Sequence, residues 1–190
     1  MNIKIPVNIL YADSDYACFN SIYSERKWVE AHKNMTDTER SILFRNTFCD
    51  GEELIFQEHA ARVSRIVQET NCCIIWSSAW RKLKRYSTMY KIQAIWEKHS
   101  LPYEALIGVT PCYPELKNRG EEIRKSIDMF NNGMYSFNFD CSFYIRKAAI
   151  IDDDYSAYVD RPECNFFHTT HMYGLNDSIT ESIINYFNKE

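Results

Sequence analysis

Three groups of polar side chains in this 190-residue sequence each follow a short apolar run. NILYA leads into Asp13-Ser14-Asp15, CCIIW into Ser77-Ser78 and KAAII into Asp152-Asp153-Asp154, with Lys117-Asn118-Arg119-Gly120 between the last two. Taken singly, an Asp-x-Asp or a Ser pair after an apolar run is commonly a turn or a helix cap. If the runs are parallel strands, however, every one of these residues emerges at the carboxyl edge of one sheet, where open α/β sheets bind ligands. Carboxylates ending two strands repel one another unless a cation lies between them. An all-oxygen donor set of high charge suits a hard metal, and Mg2+ above others, because it takes few carboxylates together with waters and substrate phosphate. Such an ion would neutralise a phosphate and polarise its phosphorus. Asp13 could then attack to give an aspartyl-phosphate, and Asp15 could protonate the leaving oxygen and later activate water. Ser77 and Ser78, expected at a helix N-terminus, would hold phosphoryl oxygens, and Arg119 would add positive charge.

The elements needed to bring these residues together are legible in the periodicity. Apolar runs at 7–11, 72–76, 104–107, 147–151 and 165–169 read as strands, and helical patterns lie between them, which predicts a parallel sheet covered by helices on both faces. Leu54, Ala60, Val63 and Val67 recur at helical spacing, with Asn71 as the stop. Ser87 is placed to cap a helix carrying Tyr90, Ile92, Ile95 and Trp96 that ends before Pro102. A further helix spans 120–131, bounded by Gly133, and Ser178 with Glu181 forms a capping box for the last one. Residues 21–51 break the alternation. They hold two helical patterns with no strand between, and Thr36 with Glu39 makes a second capping box. This is a small helical insertion after the first strand, placed either to cover a ligand in the manner of a cap or simply to pack.

Composition sets the outer bounds. At 45% hydrophobic and 25% charged, the chain supports one well-buried core, so 1–190 reads as a single domain containing that insertion. No run reaches the roughly 18 apolar residues of a membrane span, and the N-terminus lacks the pattern of a signal peptide. Seven cysteines at irregular spacing, without a C-x-x-C pair, read as reduced thiols. These features predict a soluble, cytoplasmic protein. A formal charge of −4 gives no global attraction for nucleic acid. The densest basic patch, Arg81, Lys82, Lys84 and Arg85, is a solvated helix face or a phosphate-binding one.

The order Asp-x-Asp, strand-terminal Ser, basic residue, Asp-Asp resembles the four motifs of the haloacid dehalogenase (HAD) superfamily. A closer resemblance is to the subgroup that forms the phosphatase modules of Swiss-army-knife RNA repair proteins. IIWSSAWRKL is similar to that subgroup's strand followed by Ser-Ser-x-Trp-Arg, IGVTPCYP to its Gly-Val-Thr-Pro turn, RGEEI to its Arg-Gly-x-Glu-Ile helix start and AIIDDDYSAY to its Asp-Asp strand end, with Gly174-Leu175 as the closing Gly-Leu. The similarity runs over 7–187 apart from the insertion.

The resemblance implies a three-layer, Rossmann-like α/β fold with a five-stranded parallel sheet of order 5-4-1-2-3. It implies phosphomonoester hydrolysis with Asp13 as nucleophile, Asp15 as acid/base and Ser77 binding phosphate, and Mg2+ held by Asp13, Asp152, Asp153 and the backbone carbonyl of Asp15. Arg119 falls where many relatives carry lysine. Arg81 matches the Trp-Arg of the subgroup as a phosphate ligand, or lies over Trp80 as a structural residue. By the same analogy the substrate is a phosphate on a nucleotide or nucleic-acid end. A phosphatase of small molecules and a silent domain that binds such ends or a protein partner are the alternatives. One departure stands out: relatives follow the second aspartate with Gly, whereas here Tyr16 occupies a position where the chain should turn sharply.

Overall fold

The computed structural model describes residues 4–50, 53–82, 88–134 and 142–189; the side chains of residues 4, 15, 49, 50, 53, 80, 81 and 142 also lie outside the description. The five long apolar runs form one parallel sheet. Its strands are β1 (Lys4–Ala12), β4 (Cys73–Trp76), β5 (Leu106–Val109), β6 (Ser142–Asp152) and β7 (Cys164–His168), in the order β5-β4-β1-β6-β7. Numbered along the chain as first to fifth, this is the expected order read from the other edge. β1 is central and pairs with both β4 and β6, so the residues following these three strands are neighbours.

Alternation along each strand divides the core in two, because successive side chains point to opposite faces. Leu10, Ala12, Ile74, Trp76, Ala149 and Ile151 pack against α3 (Gln57–Thr70), α4 (Met89–Lys98) and α6 (Asp177–Asn188). Ile9, Tyr11, Ile75, Ala148 and Ile150 pack against Ile123, Ile127 and Phe130 of α5 (Arg119–Asn131). The result is the expected three layers. Asn71 ends α3 in the left-handed conformation, as its position predicted.

Between β1 and α3 lie α1 (Ile22–Ala31), α2 (Asp37–Phe48) and a small antiparallel pair, β2 (Cys49–Asp50) with β3 (Glu53–Leu54). The expected insertion, 21–51, takes in α1, α2 and β2 and stops short of β3. The Thr36–Glu39 capping box closes as expected, with the Thr36 N–H donating to Glu39 Oε2 at 3.0 Å. Trp28, Phe44, Phe48 and Phe56 form an aromatic stack that holds α1 and α2 together. Ile42 and Leu43 stay exposed rather than joining it. Among the described residues, no helix is long and apolar enough to cross a membrane.

Several boundaries differ from expectation. The third strand of the sheet begins at Leu106, not at residue 104, because Tyr103–Ala105 close a 3-10 turn after Pro102. Strand β4 starts one residue late, at Cys73, and β7 ends one residue early, at His168. Ser178 lies inside α6, whose cap is Asn176, its side chain accepting from the Ile179 N–H; the Ser178 carbonyl accepts from the Ser182 hydroxyl. Ser87 falls outside the described residues, and Thr88 caps α4. Leu54 belongs to β3 and not to the helix after it.

Candidate active site

The sheet ladder continues one residue past its strands, and this positions the site. The Asp13 N–H donates to the Ile151 carbonyl (3.0 Å), Ser77 to Ala12 (2.9 Å), Thr110 to Trp76 (3.0 Å) and Thr169 to Asp152 (3.0 Å). Asp13, Ser77, Thr110, Asp152 and Thr169 are all buried, so a row of polar side chains is fixed by main-chain hydrogen bonds at one edge. The first two and Asp152 were legible from the sequence. Thr110 and Thr169 were missed: the former because its strand was placed two residues early, the latter because it was counted inside its strand.

After Asp13 the backbone makes a π-helical turn, Ser14–Cys18, closed by the Phe19 N–H on the Ser14 carbonyl at 3.1 Å. Tyr16 sits within it at φ +50°, a conformation that favours glycine. The chain therefore turns as relatives' glycine would allow, but with a ring in place. Three neighbours hold the turn. The Trp76 indole N–H donates to Ser14 Oγ (2.6 Å), Asn20 Oδ1 accepts from the Tyr16 N–H (2.7 Å), and the Leu175 N–H donates to the Ala17 carbonyl (2.6 Å). Gly174 makes the last contact possible: at φ +55°, a Cβ there would lie 2.5 Å from the Asn20 carbonyl oxygen. The Gly-Leu pair thus clamps the turn that carries Asp15, whose own side chain lies outside the described residues.

Asp13, Asp152 and Asp153 each offer a carboxylate oxygen, and the three oxygens lie within 4.8 Å of one another. Burial raises the Asp13 carboxyl to about 6, against the lowering effect of Arg119 and a hydrogen bond from Ser78. Burial, then the neighbouring Asp13 charge, raises Asp152 to about 7. Asp152 Oδ1 accepts from the Asp154 N–H at 2.9 Å, but its buried Oδ2 has no hydrogen-bond partner among the described residues. A buried carboxylate oxygen left without a donor, within an all-oxygen set of three acids, fits a hard divalent cation. Asp154 stands apart from this cluster; its side chain caps the turn Tyr155–Ala157. Beneath the cluster, burial and the three aspartates push the Cys18 thiol well up, so it stays protonated.

Arg119 is the first residue of α5, capped by Asn118 Oδ1, which accepts from the Glu121 N–H. Its guanidinium lies 3.7 Å from Asp13, 3.9 Å from Glu122 and 4.0 Å from Asp152. The structure thus places this guanidinium beside the carboxylates of Asp13 and Asp152. Its buried Nη1 makes no hydrogen bond among the described residues, although it faces Asp13. Gly120 lets the helix start come this close: a Cβ there would lie 2.7 Å from the carbonyl oxygens of both Ser156 and Tyr158. Glu122, the buried acid beside Arg119, gave no signal in the sequence beyond its place in the RGEEI segment.

The serine pair is placed with one correction. Ser77 and Ser78 are both buried at the edge, but Ser78 leads into a short 3-10 turn, Ala79–Lys82, instead of an α-helix. Among the described residues the pair is followed by that turn alone, and the donors it offers are the serine hydroxyls and local amides. The Arg81 side chain, with Lys84 and Arg85, lies outside the described residues. On the other flank, two histidines missed by sequence reasoning grip Asp153. His171 Nε2 bonds its carboxylate, and His168 Nε2 lies 3.1 Å from its carbonyl oxygen.

The HAD domain in Swiss Army Knife RNA repair proteins, as a family, matches residues 22–179. The match takes in Ser77, Arg119, Asp152 and Asp153 and starts after Asp13 and Asp15, so the place of Asp13 rests on the geometry of the sheet edge. No curated protein and no solved structure matches the chain.

Proposed function

Since this chain belongs to the HAD domains of Swiss Army Knife RNA repair proteins, we propose that it is a Mg2+-dependent phosphomonoester hydrolase working through an aspartyl-phosphate on Asp13. One observation carries this reading: three carboxylate oxygens converge within 4.8 Å, with the Arg119 guanidinium 3.7 Å from Asp13. Asp13, Asp152, Asp153 and the Asp15 carbonyl would hold the ion, which when bound supplies charge neutralisation and an electrophilic phosphorus.

The side chains divide the remaining work. The Asp13 carboxylate attacks phosphorus in line with the leaving oxygen. Asp15 gives that oxygen its proton and then takes one from the water that cleaves the acyl-phosphate. Ser77 and Ser78 hold phosphoryl oxygens, and Arg119 donates its spare N–H groups to the charge that develops there. Arg81 is assigned to the same task from the sequence alone. The family's connection with RNA repair favours a phosphate on a nucleotide or a nucleic-acid end as substrate. We read the insertion, 21–51, as a cap-like wall beside this site, because the first turn of α1 hangs on the loop that carries His171: Ile22 and Tyr23 donate to the carbonyls of His171 and Met172, both at 2.9 Å. Release of phosphate from a generic aryl phosphate tests the reading. It should require Mg2+ and stop on chelation; full turnover in metal-free buffer would overturn it.

A further inference from the structure

His171 makes two attachments that lead in different directions. Its imidazole Nε2 bonds the Asp153 carboxylate, and because a carboxylate only accepts, that nitrogen carries the proton. Its main-chain carbonyl accepts from the Ile22 N–H, and the next carbonyl, of Met172, accepts from the Tyr23 N–H, both at 2.9 Å. These are the first two amides of α1, which have no acceptor within their own helix. Ser21 Oγ takes the third, from Ser24, at 3.1 Å. The loop after β7 therefore completes the start of a helix in the insertion, and the Tyr173 ring adds a contact with Tyr23 at 6.0 Å between centroids. That loop is tied at both ends. The Thr169 N–H continues the sheet ladder onto the Asp152 carbonyl (3.0 Å), the Gly174 N–H closes on the Thr170 carbonyl (2.7 Å), and the Leu175 N–H reaches Ala17 in the turn after Asp13 (2.6 Å).

Of the three acids in the cluster, Asp153 is the one such a loop can steady. Asp13 and Asp152 are buried, and Asp152 Oδ1 accepts from the Asp154 N–H at 2.9 Å. The Asp153 side chain is less enclosed, at 15% exposed, and His171 reaches it from outside, with its own side chain 63% exposed. A hydrogen bond to one oxygen sets the plane of a carboxylate, and the His168 Nε2, 3.1 Å from the Asp153 carbonyl, holds the main chain behind it. We propose that His171 is a positioning residue, which orients Asp153 for the cation and, through its carbonyl, couples the filling of that site to the seating of α1. The inference rests on the hydrolase reading above, since it takes Asp153 as a metal ligand, and it gives the insertion a part beyond that of a wall. Such coupling is reciprocal: whatever the seated helix contributes to Mg2+ affinity, bound Mg2+ contributes to the seating of the helix.

Two measurements on the full chain test this: Mg2+ affinity by titration calorimetry, and hydrogen exchange of the Ile22 and Tyr23 amides with and without Mg2+. His171→Ala removes the imidazole and keeps the carbonyl. It should weaken Mg2+ binding about tenfold, the lower end of what the outer partner of a metal ligand contributes, and His171→Gln, which keeps an N–H donor, should recover most of the loss. In the parent protein Mg2+ should slow exchange at Ile22 and Tyr23. In His171→Ala it should no longer do so, while exchange along β1 and β6 stays parental and reports an intact sheet. A parental Mg2+ affinity in His171→Ala, or α1 amides that ignore Mg2+ in the parent protein, would overturn the assignment and leave the hydrolase reading standing. Failure of the parent protein to bind Mg2+ at all would overturn the hydrolase reading itself, and this inference with it.

Discussion

Asp13 and Asp152 are held together by the ladder between β1 and β6, which pairs Ala12 with Ile151 and so forces the two following carboxylates side by side. Arg119 answers that crowding only in part, at 3.7–4.0 Å from both acids. Its assigned part is to bind the phosphoryl group, and this separates two substitutions. Arg119→Ala should lower kcat/KM by roughly 10²–10³, the loss typical of removing one donor from a charge-stabilising site. Arg119→Lys keeps charge without the planar fork and should lose about tenfold. Equal, near-parental rates for both would make Arg119 a structural cation. At this scale the sequence was most informative where a residue directly follows an apolar run, as with Asp13, Ser77 and Asp152. It was silent where a residue reaches the site from a loop or helix interior. His171 comes from a connection after β7, and Glu122 from the first turn of α5 beside a second glutamate, so neither type nor spacing set them apart from surface residues.

The elements show how narrow the tolerances are. α5 delivers Arg119 only because its second residue, Gly120, passes the carbonyls of Ser156 and Tyr158 without a Cβ. Gly120→Ala must push the start of α5 away from the turn after β6. The expected cost is about 1–3 kcal/mol of stability, together with a fall in kcat/KM larger than the stability loss explains, because Arg119 moves with the helix. Parental kinetics in a folded Gly120→Ala protein would show that the helix start does not set the Arg119 position. The strands were readable because buried parallel strands are short, continuous apolar runs, whereas their order followed from the family resemblance. The ends of elements were less so, since competing signals stand close together. Asn176 and Ser178 both suit a cap, and the Asn side chain reaches the Ile179 N–H at 3.0 Å. Pro102 pointed to a strand beginning soon after it, but a 3-10 turn absorbed two residues first.

For the molecule as a whole, the site is a source of instability that a cation should relieve. Burial raises the folded-state carboxyls of Asp13 and Asp152 to about 6 and about 7, above the ordinary carboxylate value of the unfolded chain. Between those limits the folded protein holds protons that the unfolded chain has released. Without metal, stability is therefore greatest at low pH within this window and is lost as pH rises through the folded values. Each extra proton held costs about 1.4 kcal/mol per pH unit, or about 3–6 °C in Tm for a chain of this size. Thermal melts of metal-free protein should show Tm falling from pH 5 to pH 7.5. Saturating Mg2+ should flatten that fall, as should Asp152→Asn without metal. Melting curves with and without Mg2+ that run parallel across this range would mean that the cluster does not take the ion.

The hydrolase reading depends on Asp13 forming a covalent bond to phosphorus, and that bond can be observed. If Asp15 serves both protonation and water activation, Asp15→Asn should still be phosphorylated by an activated aryl phosphate, whose leaving group needs little help, and should then lose the phosphate slowly. Intact-mass measurement of Asp15→Asn, quenched in acid during turnover with Mg2+, should show one added phosphate, which peptide mapping places on Asp13 and which is missing when Asp13→Asn is combined with it. Product release with no adduct at any time, or an adduct on a different residue, would contradict the account.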